Sequence, residues 1–331
     1  MEYTTLGNSG IEVSRVGLGT WAIGGWMWGG TDHEQSVETI RHAVELGITF
    51  IDTAAVYGMG RSEEIVGDAL QRHGLRDRVV LATKCGLNWS DDHQQIWREA
   101  TRERIMREID DSLRRLRTDR IDLYQVHWPD PKTPIDETAR AMEDLLQAGK
   151  IRATGVSNYD VGQMDAFREA APLHANQPPY NLFERTLGDE VLPDCAEHGI
   201  GTVTYGALCR GLLSGRMSAD RQFEGDDLRQ MDPKFQQPRF GQYLAAVSAL
   251  DAFAREHAGK DVMALALRWL LDQPGHSVAL WGARRPAQLE AVTSIDGWQL
   301  DDGARERIDA IIAEHVTDPI GPEFMAPGTR D

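Results

Sequence analysis

Apolar positions along this chain switch repeatedly between helical spacing and unbroken runs, and the switches mark its elements. Between Thr31 and Gly47 the residues Val37, Ile40, Val44 and Leu46 recur at helical spacing, with Thr31-Asp32 as a cap and Gly47 as a stop. Ile48-Thr49-Phe50-Ile51 is then apolar or β-branched throughout, as a strand covered on both faces should be. Ser62-Glu63-Glu64 opens the next helix, to about residue 71, with an N-cap and an acidic first turn. The same reading gives strands over 79–84, 121–127, 151–158, 174–177, 201–206 and 277–282. Between them it gives helices over 101–116, 134–148, 161–170, 190–197, 244–256 and 262–271, with two more over 286–292 and 303–313.

Ahead of these units, residues 3–13 predict a β-hairpin around Gly7-Asn8-Ser9-Gly10 that covers one end of the core, and Val16 to Trp21 predicts a first buried strand. The letters Gly17, Gly19 and Ala22 match a dinucleotide fingerprint, which needs a helix to open at its third position. Here Gly24, Gly25, Gly29 and Gly30 follow among tryptophans, so a loop is expected and no helix. Segment 209–242 is long, polar and without period, and a loop of that length in a compact domain is usually functional. The tail through Pro322, Pro327 and Gly328 has no period either. Strand and helix alternate about eight times, which predicts a (β/α)₈ TIM barrel, one domain over 1–331, with the N-terminal hairpin and additional C-terminal helices. A doubly wound sheet is the alternative, but eight regular units exceed its usual count.

Composition narrows the function. Over 331 residues, 41% are hydrophobic and 26% charged, as in a packed globule. The net charge of −17 argues against a nucleic-acid backbone or an anionic membrane as the main partner, so an anionic ligand must meet locally clustered arginine or lysine. Cys85, Cys195 and Cys209 form no Cys-x-x-Cys pair and cannot all pair, which fits a reducing cytoplasm. The start is unlike a signal peptide, and the apolar stretch 262–271 is too short to span a bilayer. No His-x-His pair marks the first strand, so no metal is expected.

Barrel active sites form where strands end, and the strand ends here are Trp21, Asp52, Lys84, His127, Ser157-Asn158, Gln177, Tyr205-Gly206 and Gly282. Tyr57 lies in the loop that follows Asp52. A free tyrosine ionises near ~10 and is a poor acid at neutral pH, but a nearby ammonium would lower that value. Lys84 can supply it, Asp52 can hold Lys84 protonated and aimed, and His127 can hydrogen-bond a substrate oxygen. The bland alternative is a helix-capping Asp52 and a half-buried Tyr57. Arg210, Arg216, Arg284 and Arg285 offer the positive charge that phosphates require. Trp21, Trp26, Trp28, Trp89 and Trp128 fall in rim loops suited to a substrate pocket that is otherwise polar, whereas alternation turns Cys85 away from the site.

These motifs together resemble the aldo-keto reductases, and most closely their bacterial general-stress and glycerol-dehydrogenase-like branch. The resemblance is carried in order by Gly17-Leu18-Gly19-Thr20-Trp21, Phe50-Ile51-Asp52-Thr53-Ala54 with Tyr57-Gly58, Ala82-Thr83-Lys84 and Asp122 to Pro129. Gly155-Val156-Ser157-Asn158, Gln177 to Asn181, Gly211 to Gly215 and Gly282-Ala283-Arg284 continue it. It implies NADPH-dependent interconversion of small carbonyls and alcohols, with Tyr57 as acid/base supported by Asp52, Lys84 and His127. It also implies that Ser157, Asn158 and Gln177 hold the nicotinamide amide, that Tyr205 stacks on its ring, and that Thr20 and Trp21 lie beside the cofactor. Gly206, Ala207, Leu208, Arg210, Gly211 and Leu212 would cradle the pyrophosphate with Arg216 nearby, and Gly282, Ala283, Arg284 and Gln288 the adenosine end. A second expectation of another class is a cofactor-holding regulatory subunit like the β-subunits of potassium channels, with little turnover.

Overall fold

The computed structural model describes residues 1–330. Strands β1 (Tyr3–Thr5) and β2 (Glu12–Ser14) form the expected antiparallel hairpin, and β3 (Val16–Gly19) enters the barrel. Next come α1 (Trp21–Gly24), α2 (His33–Glu45), β4 (Phe50–Asp52), α3 (Arg61–His73) and β5 (Val80–Cys85). A second hairpin, β6 (Leu87–Trp89) with β7 (Ile96–Arg98), precedes α4 (Arg102–Leu116), β8 (Ile121–Val126), α5 (Ile135–Gln147) and β9 (Ile151–Ser157). The chain continues through α6 (Val161–Ala170), β10 (Ala175–Gln177), α7 (Val191–Glu197), β11 (Gly201–Thr204), α8 (Arg239–Ala258), α9 (Val262–Leu271) and β12 (His276–Gly282). After α10 (Asp302–His315), the tail ends in β13 (Gly328–Thr329), paired with β7.

β3, β4, β5, β8, β9, β10, β11 and β12 close into one parallel barrel, as the eightfold alternation predicted. Local chemistry explains the helix starts: Asp32, Thr101 and Asp261 each accept a backbone N–H of their own first turn, and Asp160 with Gln163 forms a capping box. Inside the barrel Phe50, Val80, Leu123, Val203 and Val278 pack together, and Leu6, Ile11 and Val13 of the first hairpin close the end at which the strands begin. Each such side chain contributes about 1.5–3 kcal/mol on burial. With one end filled this way, the strand C-termini are the open end.

Three expectations were wrong in detail. The glycine-rich stretch does open a helix, the single turn α1, because Gly25 at φ 82° can terminate it at once. Residues 286–292 form two short 3₁₀ turns instead of a helix, since Gln288 folds back to accept the backbone N–H groups of Arg284 and Arg285. α8 begins at Arg239, inside the stretch read as loop, and buries Phe240 and Tyr243.

Candidate active site

β4 ends at Asp52, level with Gly19 of β3 and Ala82 of β5, so the carboxylate sits at the open end beside Lys84. The Lys84 ammonium donates to Asp52 Oδ2 at 2.6 Å, to the Thr53 carbonyl at 3.0 Å and to Tyr57 Oη at 3.2 Å. Tyr57 reaches that point because the loop after β4 lies directly on α1. A Cβ on Gly24 would stand 2.8 Å from the Tyr57 backbone, and Gly58, at φ +64°, would place one 2.4 Å from the Gly24 oxygen. Two bare backbones in contact let the Tyr57 ring stack on Trp21 with centroids 5.9 Å apart. His127, just past β8, meets the Tyr57 ring edge-on at 5.6 Å. The structure thus brings together all four residues expected to carry chemistry.

The electrostatics differ from the sequence argument in one respect. Lys84 was expected to lower the Tyr57 pKa, but burial, with the Asp52 carboxylate second, raises it well above the ordinary value. Burial outweighs Asp52 at Lys84 and lowers its pKa. Burial, reinforced by Lys84, lowers that of His127 well below the usual range. Near neutral pH the phenol keeps its proton, the imidazole is neutral, and Lys84 donates to the phenol oxygen.

Asp52 also orients a second set. Its Oδ1 accepts Gln177 Nε2 at 2.9 Å and Gln125 Nε2 at 3.3 Å. Ser157 Oγ donates to the Gln177 carbonyl at 2.8 Å, Asn158 Nδ2 to Ser157 Oγ at 3.0 Å, and Tyr205 Oη to Asn158 Oδ1 at 2.9 Å. From this patch a groove of about 430 Å³ runs past Thr20, Trp21, Gly206, Ala207, Leu208, Gly211 and Arg216 to Gly282, Ala283, Arg284, Arg285 and Gln288. Of the lining residues, Trp21 and Trp28 carry indole nitrogens that are buried with no hydrogen-bond partner among the described residues, and a Cβ on Gly282 would meet nothing within 4 Å. The strap of residues 209–238 reaches from the end of β11 to the glycine-tryptophan loop, where Asp226 accepts the N–H groups of Met27 and Gly29 and Leu228 N–H donates to Met27 O.

Two residues expected at the groove do other work. Arg210 borders it, but its guanidinium is paired with Glu184 and Asp232, so its charge is already matched. Leu212 is fully buried in the outer core. Arg284 keeps its place but ties the first loop down, donating to Trp28 O at 2.8 Å and Gly30 O at 3.3 Å.

A second cavity, of about 630 Å³, meets the groove at Trp21, Tyr57, Gln177, Tyr205 and Met325. Trp26 and Trp128 line it as expected, but Val56, Leu87, Ile96 and Phe324 make the remaining walls mostly apolar, where otherwise polar walls were expected. Trp89 is not among the lining residues; it packs beside Leu87 and Ile96 with Arg104 over its ring at 5.6 Å. Sequence reasoning missed Met27, His93, Gln94, Met231 and the tail residues Phe324, Met325 and Pro327, all of which line this cavity. The apolar pair Phe324-Met325 in a polar tail was the available signal.

The model of the aldo/keto reductase family matches residues 15–313. The protein named aldo-keto reductase YhdN, of Bacillus subtilis, is 58% identical over 331 residues, covering all of this chain and 99% of that one. The NADH-specific methylglyoxal reductase of Escherichia coli is 34% identical over 87% of this chain and 91% of its own. Among solved structures, the glycerol dehydrogenase AKR11B4 from Gluconobacter oxydans superposes with a TM-score of 0.88 at 51% identity, over 98% of this chain and 99% of that one.

Proposed function

Because the chain belongs to the aldo/keto reductase family, we propose that it is an NADPH-dependent oxidoreductase that reduces small aldehydes or ketones to alcohols, reversibly toward alcohol or polyol oxidation. The observation that carries this reading is the position of Lys84 Nζ, between Asp52 Oδ2 and Tyr57 Oη, where the groove and the apolar cavity meet. The family implies a nicotinamide dinucleotide, and the groove's residues fit one. Its unpartnered indole nitrogens, the open space at Gly282 and the arginines at one end suit a long ligand with polar and anionic parts. Ser157, Asn158 and Gln177 would hold the amide, Tyr205 would stack on the ring, the backbone of 206–211 with Arg216 would meet the phosphates, and Arg284 or Arg285 a 2′-phosphate. The bound cofactor supplies the hydride.

The remaining chemistry belongs to the chain. A carbonyl in the apolar cavity places its oxygen against Tyr57 Oη, and neutral His127 donates a second hydrogen bond that fixes its direction. Tyr57 passes its proton to that oxygen as charge develops there. The phenolate left behind is stabilised by the Lys84 ammonium at 3.2 Å, itself held by Asp52. In the reverse direction the same phenolate takes the alcohol proton. The walls of Trp21, Trp26 and Trp128 exclude water, which strengthens each of these interactions. The glycerol dehydrogenase likeness supports polyols among the alcohols, and three free, buried cysteines support a cytoplasmic setting.

Steady-state oxidation of NADPH with short aldehydes, and reduction of NADP with glycerol-type alcohols, tests the proposal. Turnover in both directions is expected. Tight NADPH binding with negligible turnover on every substrate would instead favour a cofactor-holding subunit.

A further inference from the structure

Below the groove lies a cluster of four buried ionic groups that the reaction does not use. Glu184, in the loop after β10, accepts Arg210 on one side and Lys234 Nζ at 2.8 Å on the other. Asp232 accepts Arg210 Nε at 2.5 Å and the Lys234 backbone N–H at 2.9 Å. All four side chains are at most 4% exposed, and their charges cancel. Replacing such a cluster by apolar side chains of similar volume is often neutral or stabilising, so stability alone does not account for it.

Its members come from the loop after β10, from the groove wall and from the later part of the strap. Arg210 is in the groove wall with a left-handed backbone, φ 53°, next to Gly211. Asn181 Nδ2 joins Glu184 Oε2 at 2.7 Å to the Gly206 carbonyl at 3.0 Å, so the carboxylate also fixes the start of that wall. Asp232 and Lys234 belong to the strap. Lys234 Nζ donates onward to the Gly321 carbonyl of the tail at 2.9 Å, and the Arg210 guanidinium lies 5.6 Å from the Phe324 ring. Phe324 and Met325, which follow Gly321, form a wall of the apolar cavity.

We propose that Glu184, Arg210, Asp232 and Lys234 are positioning residues that couple the cofactor groove to the substrate cavity, so that filling the groove sets the tail residues Phe324 and Met325 in place for the carbonyl substrate. The proposal rests on the cofactor reading given above. Its logic is that a fully paired buried cluster has few alternative arrangements, because displacing one member strands a charge away from water. A shift or stiffening of the backbone at 206–211 is therefore passed to the strap and, through Lys234 and Phe324, to the tail.

The test uses the full chain, with hydrogen exchange of segments 217–230 and 318–330 followed with and without saturating NADPH in the wild type, Lys234→Met and Lys234→Arg. Cofactor is expected to raise protection in both segments of the wild type, in 217–230 alone in Lys234→Met, and in both again in Lys234→Arg. Aldehyde KM should rise roughly fivefold or more in Lys234→Met while kcat and the NADPH dissociation constant stay near wild type, a split that simple unfolding would not give. A tail response and a KM unchanged in Lys234→Met would overturn the coupling while leaving the cofactor reading intact. Absence of NADPH binding to the wild type would overturn both. If Lys234→Met does not fold, Phe324→Leu removes the other contact without stranding a charge, and a tail response of wild-type size there overturns the proposal.

Discussion

At the scale of single residues, Asp52 links the two jobs of the site. One oxygen aims Lys84 at Tyr57 and the other aims the Gln177 amide, so the proposed acid/base group and the proposed amide-holding group share one carboxylate. Residue types at strand ends were enough to nominate these groups. They could not give the direction of the Tyr57 shift, because burial, a property of the fold, raises it and the Asp52 carboxylate raises it further. The two arginines after β12 illustrate the same limit. Arg284 holds the loop carbonyls of Trp28 and Gly30, whereas Arg285 makes no ion pair among the described residues. Losing a charge-assisted hydrogen bond of about 1.5–3 kcal/mol weakens binding roughly ten- to a hundredfold. Arg284→Ala and Arg285→Ala, with NADPH and NADH dissociation constants measured for each, separate the roles. The residue that reads the 2′-phosphate loses NADPH affinity alone, and one that only holds the loop loses both in parallel. If neither variant weakens NADPH selectively, the phosphate is not read at this turn. The NADH-specific E. coli relative makes that comparison informative.

At the scale of elements, the long helices and buried strands were legible because each repeats its signal over several residues. The hairpin β6–β7 was not, since each strand has three residues and β7 pairs with a distant segment, Gly328–Thr329. Its entry is fixed from below by Glu108 of α4, which accepts the N–H of Gly86 at 3.0 Å and that of Arg104 Nε at 3.2 Å. Burial pushes the Glu108 carboxyl up from 4.5 to about 7, against the pull of Arg104. A folded-state pKa raised above the unfolded one gives stability that is complete below about 4.5 and is lost as pH rises through about 7. At ~1.36 kcal/mol per pKa unit, the loss is on the order of 3 kcal/mol. Glu108→Gln cannot ionise, so its urea-unfolding free energy should gain on the wild type by that order between those pH values. Parallel pH profiles would show that the carboxyl does not titrate in this window.

At the scale of the whole molecule, the barrel presents one open end, and the strap, the tail and the β6–β7 hairpin roof it. The roof was the least legible part. Its contacts join residues far apart in sequence, such as Arg210 with Glu184 and Asp232, so the sequence does not show that these four charges are buried and paired. Arg210 lines the groove, but its guanidinium is already paired, and Trp89, expected as a pocket wall, is absent from the cavity lining because a rim position does not specify which way a side chain turns. The cavity, more apolar than expected, predicts how substrates rank. Each methylene buried there is worth about 0.8 kcal/mol, so kcat/KM should rise up to about fourfold per carbon from propanal to hexanal. A flat or falling series would mean that the apolar walls do not meet the substrate.

The central claim is that Tyr57 gives the proton while the groove binds the cofactor independently of it, and Tyr57→Phe tests it most directly. The substitution keeps the ring on Trp21 and removes only the hydroxyl beside Lys84. A positioned acid is worth roughly 10²–10⁴-fold, so aldehyde reduction should fall by at least about a hundredfold while the NADPH dissociation constant changes less than about threefold. Retention of more than about a tenth of wild-type kcat, with hydride transfer still rate-limiting, would contradict the assignment of Tyr57 as the acid.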